Sequence, residues 1–266
     1  MKLAIIGTGN MGKAILSGLL TEGIFDPKDI NVCDVRQEAV DQVCSECGTN
    51  GFTKAEEAVK DCDYVLMAVK PIHFDAALNS LKGSLKSGVI VLSIAAAVKC
   101  EKIKGILGEG VKFVRIMPNT PAQVQCGVSA VCPVGLDDNE VEYVKKIFAS
   151  CGEVIICDEK TLDAIGCVSG TGPAYVMLFI EAMADAAVSL GIKRDDALKI
   201  AAGTVMGSGQ LCLKTGLHPG VLKDQVCSPG GTTIAGVMAL EECGLRNAVI
   251  KSVLAADEKT KQMAKG

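Results

Sequence analysis

Two glycine-rich turns carry the residues in this chain whose types and spacing could hold anions. The first, Gly7-Thr8-Gly9-Asn10-Met11-Gly12, opens directly from the apolar run Leu3–Ile6. Each glycine has its own task in such a turn. Gly7 bends the chain sharply after a strand, Gly9 lets main chain approach a pyrophosphate, and Gly12 lets the next helix lie close on the sheet. The amides of Asn10 and Met11 would open that helix and face negative charge. The second turn, Ser228-Pro229-Gly230-Gly231-Thr232-Thr233, precedes Ile234, Val237 and Met238 at helical spacing. Bare amides at a helix start suit a small anion such as a carboxylate, and three hydroxyls exceed what a capping turn needs. A seat for a dinucleotide and a seat for an anionic hydride acceptor are the parts of a reductase.

The cofactor reading extends along the first half. A second apolar run, Ile30–Cys33, ends at Asp34, 22 residues after Gly12, the separation at which a carboxylate accepts from a ribose 2′-hydroxyl and repels a 2′-phosphate. That favours NADH. Arg36 could still pair with a phosphate, which keeps NADPH open, and Asp34 could be an ordinary loop aspartate. Further runs end in Ala68-Val69-Lys70-Pro71, in Ile94-Ala95-Ala96-Ala97 and in Met117-Pro118-Asn119. In a doubly wound sheet the ligand crevice lies at such carboxyl ends. Lys70 could meet a carboxylate or a ribose, or is simply solvated; Asn119 offers its amide to the nicotinamide region or caps a turn.

Several elements must position these residues. Apolar runs at 3–6, 30–33, 64–69, 89–94, 113–117 and 154–157 alternate with helical patterns, the first of them at 10–22 with Gly23 as its stop. Strands alternating with helices predict an α/β fold, a Rossmann-type doubly wound parallel sheet. Beyond about residue 160 no strand is legible. Ala-rich helical segments at 174–190, 194–214, 233–242 and 246–263 follow, rich in small residues. The expected division is therefore a dinucleotide-binding domain at 1–160 and an all-helical domain at 161–266. Such apolar helices would struggle to bury every face within one chain, which predicts a homodimer or larger.

Composition removes other classes. A net charge of −4 with no basic stripe gives nucleic acid no footprint. The uncharged stretch 164–180 is broken by Gly166, Gly170, Gly172 and Pro173, so we read a buried helix with a glycine-rich lead-in and no membrane partner. After Met1-Lys2 only four apolar residues precede Gly7, too few for a signal-peptide core. Thirteen cysteines are scattered where Ala or Val would fit, as small buried hydrophobes of a cytoplasmic protein. Cys44-Ser45-Glu46-Cys47 lacks the second pair that a zinc site needs, so no metal is expected. His73 and His218 are poor catalysts by position, one after a strand and one before a proline.

On IIGTGNMG, AVKP at 68–71, MPNTP at 117–121, SGTGPAY at 169–175 and HPGVLKDQVCSPGGTTIAG at 218–236, the chain resembles the pyrroline-5-carboxylate reductases. The resemblance implies a Rossmann domain followed by an all-helical domain that interlocks into dimers or larger rings. It also implies hydride transfer from NAD(P)H to a cyclic imine, the last step of proline synthesis. By position it implies that residues 6–11, from Ile6 to Met11, cradle the pyrophosphate and that Asp34 and Arg36 face the adenine ribose. Residues 68–71 and 94–97 would line the remaining cofactor path. Ser228, Gly231, Thr232 and Thr233 would hold the substrate, with Thr233 at the ring nitrogen. Glu159 would lie near the substrate and Gln225 near the cofactor. Ala97 departs from a frequent glycine. A reductase of a related cyclic imine and a dinucleotide sensor without turnover are the competing readings.

Overall fold

The computed structural model describes residues 1–263, so residues 264–266 of the expected second domain lie outside the described residues. The first 156 residues alternate as expected: β1 (Leu3–Ile6), α1 (Asn10–Thr21), β2 (Ile30–Cys33), α2 (Gln37–Cys47), β3 (Asn50–Phe52), α3 (Ala55–Ala58), β4 (Tyr64–Met67), α4 (Pro71–Ser80), β5 (Ile90–Ser93), α5 (Cys100–Leu107), β6 (Lys112–Met117), β7 (Gly127–Val134), α6 (Asp138–Ala149) and β8 (Gly152–Ile156). They form one eight-stranded sheet in the order β3-β2-β1-β4-β5-β6-β7-β8, parallel throughout except where β7 runs antiparallel to β6.

Alternate residues of each strand enter different cores. Leu3, Ile5, Leu66 and Leu92 face one side, while Ala4, Ile6, Val65 and Val91 face the other. Burial on both faces explains why these strands read as unbroken apolar runs. The chain leaves β1 toward β2 and β3, then returns to β4 on the opposite side of β1. That reversal opens a crevice outside the carboxyl ends of β1 and β4.

Two strands were not legible in the sequence. β3 has only three residues, two of them turn formers, and Gly51 is needed because a Cβ there would stand 2.6 Å from Val40 and 2.7 Å from Cys44. β7 carries Pro133, which in sequence argues against a strand.

Helices follow: α7 (Glu159–Ile165), a π-helical turn (Gly166–Gly170), α8 (Gly172–Ser189), α9 (Arg194–Thr215), α10 (Pro219–Val226), α11 (Thr232–Glu242) and α12 (Leu245–Met263). By contacts the described residues form two units, 1–170 with 259–263, and 171–258. α7 belongs with the sheet, where its Leu162 is buried beside Ala130 and Cys132.

Within the second unit the buried apolar cluster is small: Ala184, Ala197 and Ala201, where α8 and α9 meet. Met177 (61% exposed), Leu178 (66%) and Leu213 (70%) stand outward, so these helices lack cover within one chain. In the stretch 164–180, expected to be buried, only Gly166 and Cys167 are buried; the rest is half-buried or exposed. By length and composition alone, Glu159–Ser189 is apolar enough to cross a membrane, and 6% of its apolar window is buried.

Candidate functional site

The turn after β1 is built by close main-chain approach. Gly7 has φ of +106° and donates its amide to the Cys33 carbonyl at 2.7 Å. A Cβ on Gly7 would lie 2.6 Å from the Ala68 carbonyl oxygen, and one on Gly12 would lie 2.3 Å from the Gly7 carbonyl oxygen. Both positions are filled by the protein itself. Gly9 is different: a Cβ there would meet nothing within 4 Å. The open space lies over the N-cap residue of α1, where no side chain caps the first amides. Those amides stand unclaimed at the positive end of the helix, in the shape that a pyrophosphate fills.

Asp34 closes the turn from the end of β2. Its Oδ2 accepts from the Thr8 amide at 3.1 Å and from the Thr8 hydroxyl at 2.9 Å, and its Oδ1 accepts from the Arg36 amide at 3.1 Å. Burial pushes its carboxyl up, but these donors and the Arg36 charge outweigh burial and hold it below the usual carboxylate range. It is thus a fixed negative charge, and the Arg36 guanidinium lies 3.5 Å away with its side chain mostly in solvent.

Sequence reasoning also singled out the ends of β4, β5 and β6. Ala68 and Val69 are half-buried, and Lys70 is exposed at the N-cap of α4, whose first residue is Pro71. After β5, Ile94 is half-buried and Ala95 buried, while Ala96 and Ala97 are exposed; Ala97 holds a left-handed φ of +61°. Asn119 is buried, and its side chain is engaged within the protein. It donates to the Ser169 carbonyl at 2.9 Å and accepts from the Val128 amide at 2.9 Å.

A charge cluster that the sequence reading did not anticipate stands beside the end of β5. Arg115 of β6 is buried, pairs in register with Ser93, and donates to Glu159 Oε1 at 2.9 Å and Asp163 Oδ1 at 2.8 Å. Lys99 pairs with the other oxygen of Asp163. Glu159 Oε1 also accepts from the Cys100 amide at 2.7 Å. The signal was present, because an arginine inside an apolar strand run must find carboxylates. Burial pushes Asp163 up, but Lys99 and Arg115 more than offset this and leave its pKa lowered. Burial, reinforced by Glu159, pushes the Cys100 thiol up to about 12, so this cysteine stays a thiol.

In the second unit, α11 begins at Thr232 with Gly231 as N-cap and no side-chain cap. Its first helical bond runs from the Ala235 amide to the Gly231 carbonyl, so the amides of Thr232, Thr233 and Ile234 precede the ladder. Gly230 turns the chain at φ of +67°, and the Gly231 amide returns to the Ser228 carbonyl at 3.1 Å. A Cβ on Gly231 would sit 2.3 Å from Ser228 Oγ. Ser228, Thr232 and Thr233 are exposed, and Gln225 is exposed on α10. His218 caps α10 by accepting the Gly220 amide on Nδ1 at 3.1 Å, and His73 is exposed on α4. Among the described residues, no group of three His, Cys, Asp or Glu side chains could hold a metal ion.

Comparison with known proteins agrees with this arrangement. Residues 159–263 match the family described as pyrroline-5-carboxylate reductase dimerisation, and residues 2–97 match that described as NADP oxidoreductase coenzyme F420-dependent. The chain is 43% identical to the pyrroline-5-carboxylate reductase of Escherichia coli (strain K12) over 265 residues, 99% of this chain and 98% of that protein. It is 38% identical to the enzyme of that name from Arabidopsis thaliana, over 99% of this chain and 95% of that protein. Among solved structures, a pyrroline-5-carboxylate reductase from Coxiella burnetii superposes with a TM-score of 0.94 at 32% identity, covering 100% of this chain and 99% of that one. A Plasmodium falciparum pyrroline carboxylate reductase with NADP bound gives 0.87 at 32% identity, covering 99% and 98%.

Proposed function

This chain belongs to the pyrroline-5-carboxylate reductase family, and from that premise we propose that it reduces the C=N bond of 1-pyrroline-5-carboxylate with NAD(P)H to give L-proline. The observation that carries the reading is Gly9, the one glycine of the first turn whose missing Cβ serves no contact within the protein. The chemistry that a bound NAD(P)H supplies is a hydride to the imine carbon.

The protein's own residues bind and orient. The amides at the start of α1 hold the pyrophosphate, and residues 68–71 and 94–97 line the path beyond it. The amides of Thr232, Thr233 and Ile234 hold the substrate carboxylate, with Ser228 and Gly231 shaping the turn, and the Thr233 hydroxyl meets the ring nitrogen. A protonated imine accepts hydride without a strong general acid, so the lack of a poised histidine is no obstacle. Rate then comes from alignment and from fixed donors on the carboxylate.

Asp34 favours NADH, because a 2′-phosphate would meet a carboxylate held ionised by Thr8 and Arg36. The working division is a cofactor domain and a substrate and self-association domain, with the boundary at residue 170 rather than at the 160 read from the sequence, since α7 belongs with the sheet. The exposed Met177, Leu178, Met206 and Leu213 support a dimer or a larger ring. Cytoplasmic residence accords with cysteines that stand as free thiols, Cys33 and Cys62 buried among them.

The test is to mix purified protein with 1-pyrroline-5-carboxylate and either cofactor, follow nicotinamide absorbance and identify proline. Oxidation of both, faster with NADH, is expected. Faster turnover with NADPH would overturn the role given to Asp34. Binding of dinucleotide without any imine turnover would favour the sensor reading.

A further inference from the structure

We propose that the four-charge cluster of Lys99, Arg115, Glu159 and Asp163 positions the loop after β5 for the nicotinamide half of the cofactor. The inference rests on the dinucleotide reading above. All four residues lie in the unit that holds the sheet.

The geometry of the sheet assigns the halves. The pyrophosphate seat lies after β1, and Asp34, the ribose partner, ends β2 on one side of it. A dinucleotide centred on β1 must therefore lay its other half across the carboxyl ends of β4, β5 and β6. The loop from Ile94 to Lys99 leaves the sheet at that place.

This loop is hard to hold by itself. Ala97 sits at φ of +61°, a conformation that costs a residue with a Cβ and persists only when its surroundings fix it. Ala96 and Ala97 are exposed and short, and Lys99, the N-cap of α5, makes no side-chain cap. Two ties supply what the loop lacks, and both come from one face of α7. Glu159 caps α5 from outside by accepting the Cys100 amide, and Asp163, four residues on, takes the Lys99 ammonium. Residues four apart share a helix face. Arg115 then locks both carboxylates to β6 through separate nitrogens. The loop's far end is thus fixed to the strand beside its near end. Glu159 and Asp163 act here through the loop, as positioning residues.

The experiment is isothermal titration calorimetry of the whole protein with NADH, and separately with ADP, which carries the pyrophosphate and the adenosine half alone. Glu159→Met and Lys99→Met each remove one tie while leaving the buried Arg115–Asp163 pair in place. Each should weaken NADH about tenfold, the scale of one lost charge-assisted bond, and leave ADP within about twofold. A purely structural role would weaken both ligands alike or neither, and either result overturns the proposal. A wild-type protein that binds ADP but not NADH overturns it as well. A wild type that binds neither ligand overturns it together with the dinucleotide reading.

Discussion

In the turn at residues 7–12 the protein presses on two of the three glycines with main-chain atoms, whereas in the turn at 228–233 only one glycine is pressed, and by a side chain. Gly7 and Gly12 face carbonyl oxygens at 2.6 and 2.3 Å, while Gly231 faces the hydroxyl of Ser228. The first turn is also tied from outside, since Asp34 holds both polar hydrogens of Thr8. The second opens on exposed hydroxyls. The same device, bare amides at a helix start, is rigid in one place and adjustable in the other. A cofactor seat that must hold one long ligand in register gains from a preformed shape. A seat for a small carboxylate can let its hydroxyls settle around the ligand.

Substitutions can break this contrast. The largest effect is expected at Gly12→Ala, because neither the Gly7 carbonyl nor the helix can yield cheaply; it should cost roughly 3 kcal/mol of stability, read as a lowered midpoint in urea. A stability unchanged within error would show that the first turn is not rigid. Next comes Thr233→Ala, which should lower kcat on the order of 100-fold with NADH affinity nearly unchanged, as loss of a donor used in the transition state does. An equal loss of cofactor affinity would remove Thr233 from the imine nitrogen. Gly9→Ala is smaller and of opposite character to Gly12→Ala. Its backbone is at an allowed φ of −72° and its Cβ enters open space, so the thermal midpoint should hold while NADH affinity falls about tenfold.

How far the sequence could be read follows from how local each signal was. β1 and β2 were legible to the residue, because a strand buried on both faces leaves an unbroken apolar run. The helices after residue 190 were placed to within a residue or so, apart from the short α10. Its proline and glycine start hid it. Long-range consequences were harder. The exposure of α8 depends on what covers the chain, which periodicity does not encode. Asn119 follows β6, and its side chain serves Val128 and Ser169, since a buried amide is used first by nearby main chain. Glu159 was marked as a neighbour of the substrate, but its partners, Arg115 and the Cys100 amide, are 44 and 59 residues away, a pairing no spacing rule reports.

The smallest expected effect tests the adjustable turn. In Gly231→Ala the new Cβ must displace Ser228 Oγ, and a serine side chain can rotate about one bond to make room. Gly231 has φ of −82°, which alanine adopts without strain, so stability should change by under about 0.5 kcal/mol. The Ser228 hydroxyl, however, would leave the rim of the proposed anion seat. The KM for the imine should then rise about threefold with kcat nearly held, the mark of binding lost equally in ground and transition states. A kcat collapse as large as that of Thr233→Ala would mean that the second turn is as rigid as the first, and the contrast between them would fall. If KM stays level, Ser228 touches no substrate, and the carboxylate rests on the α11 amides alone.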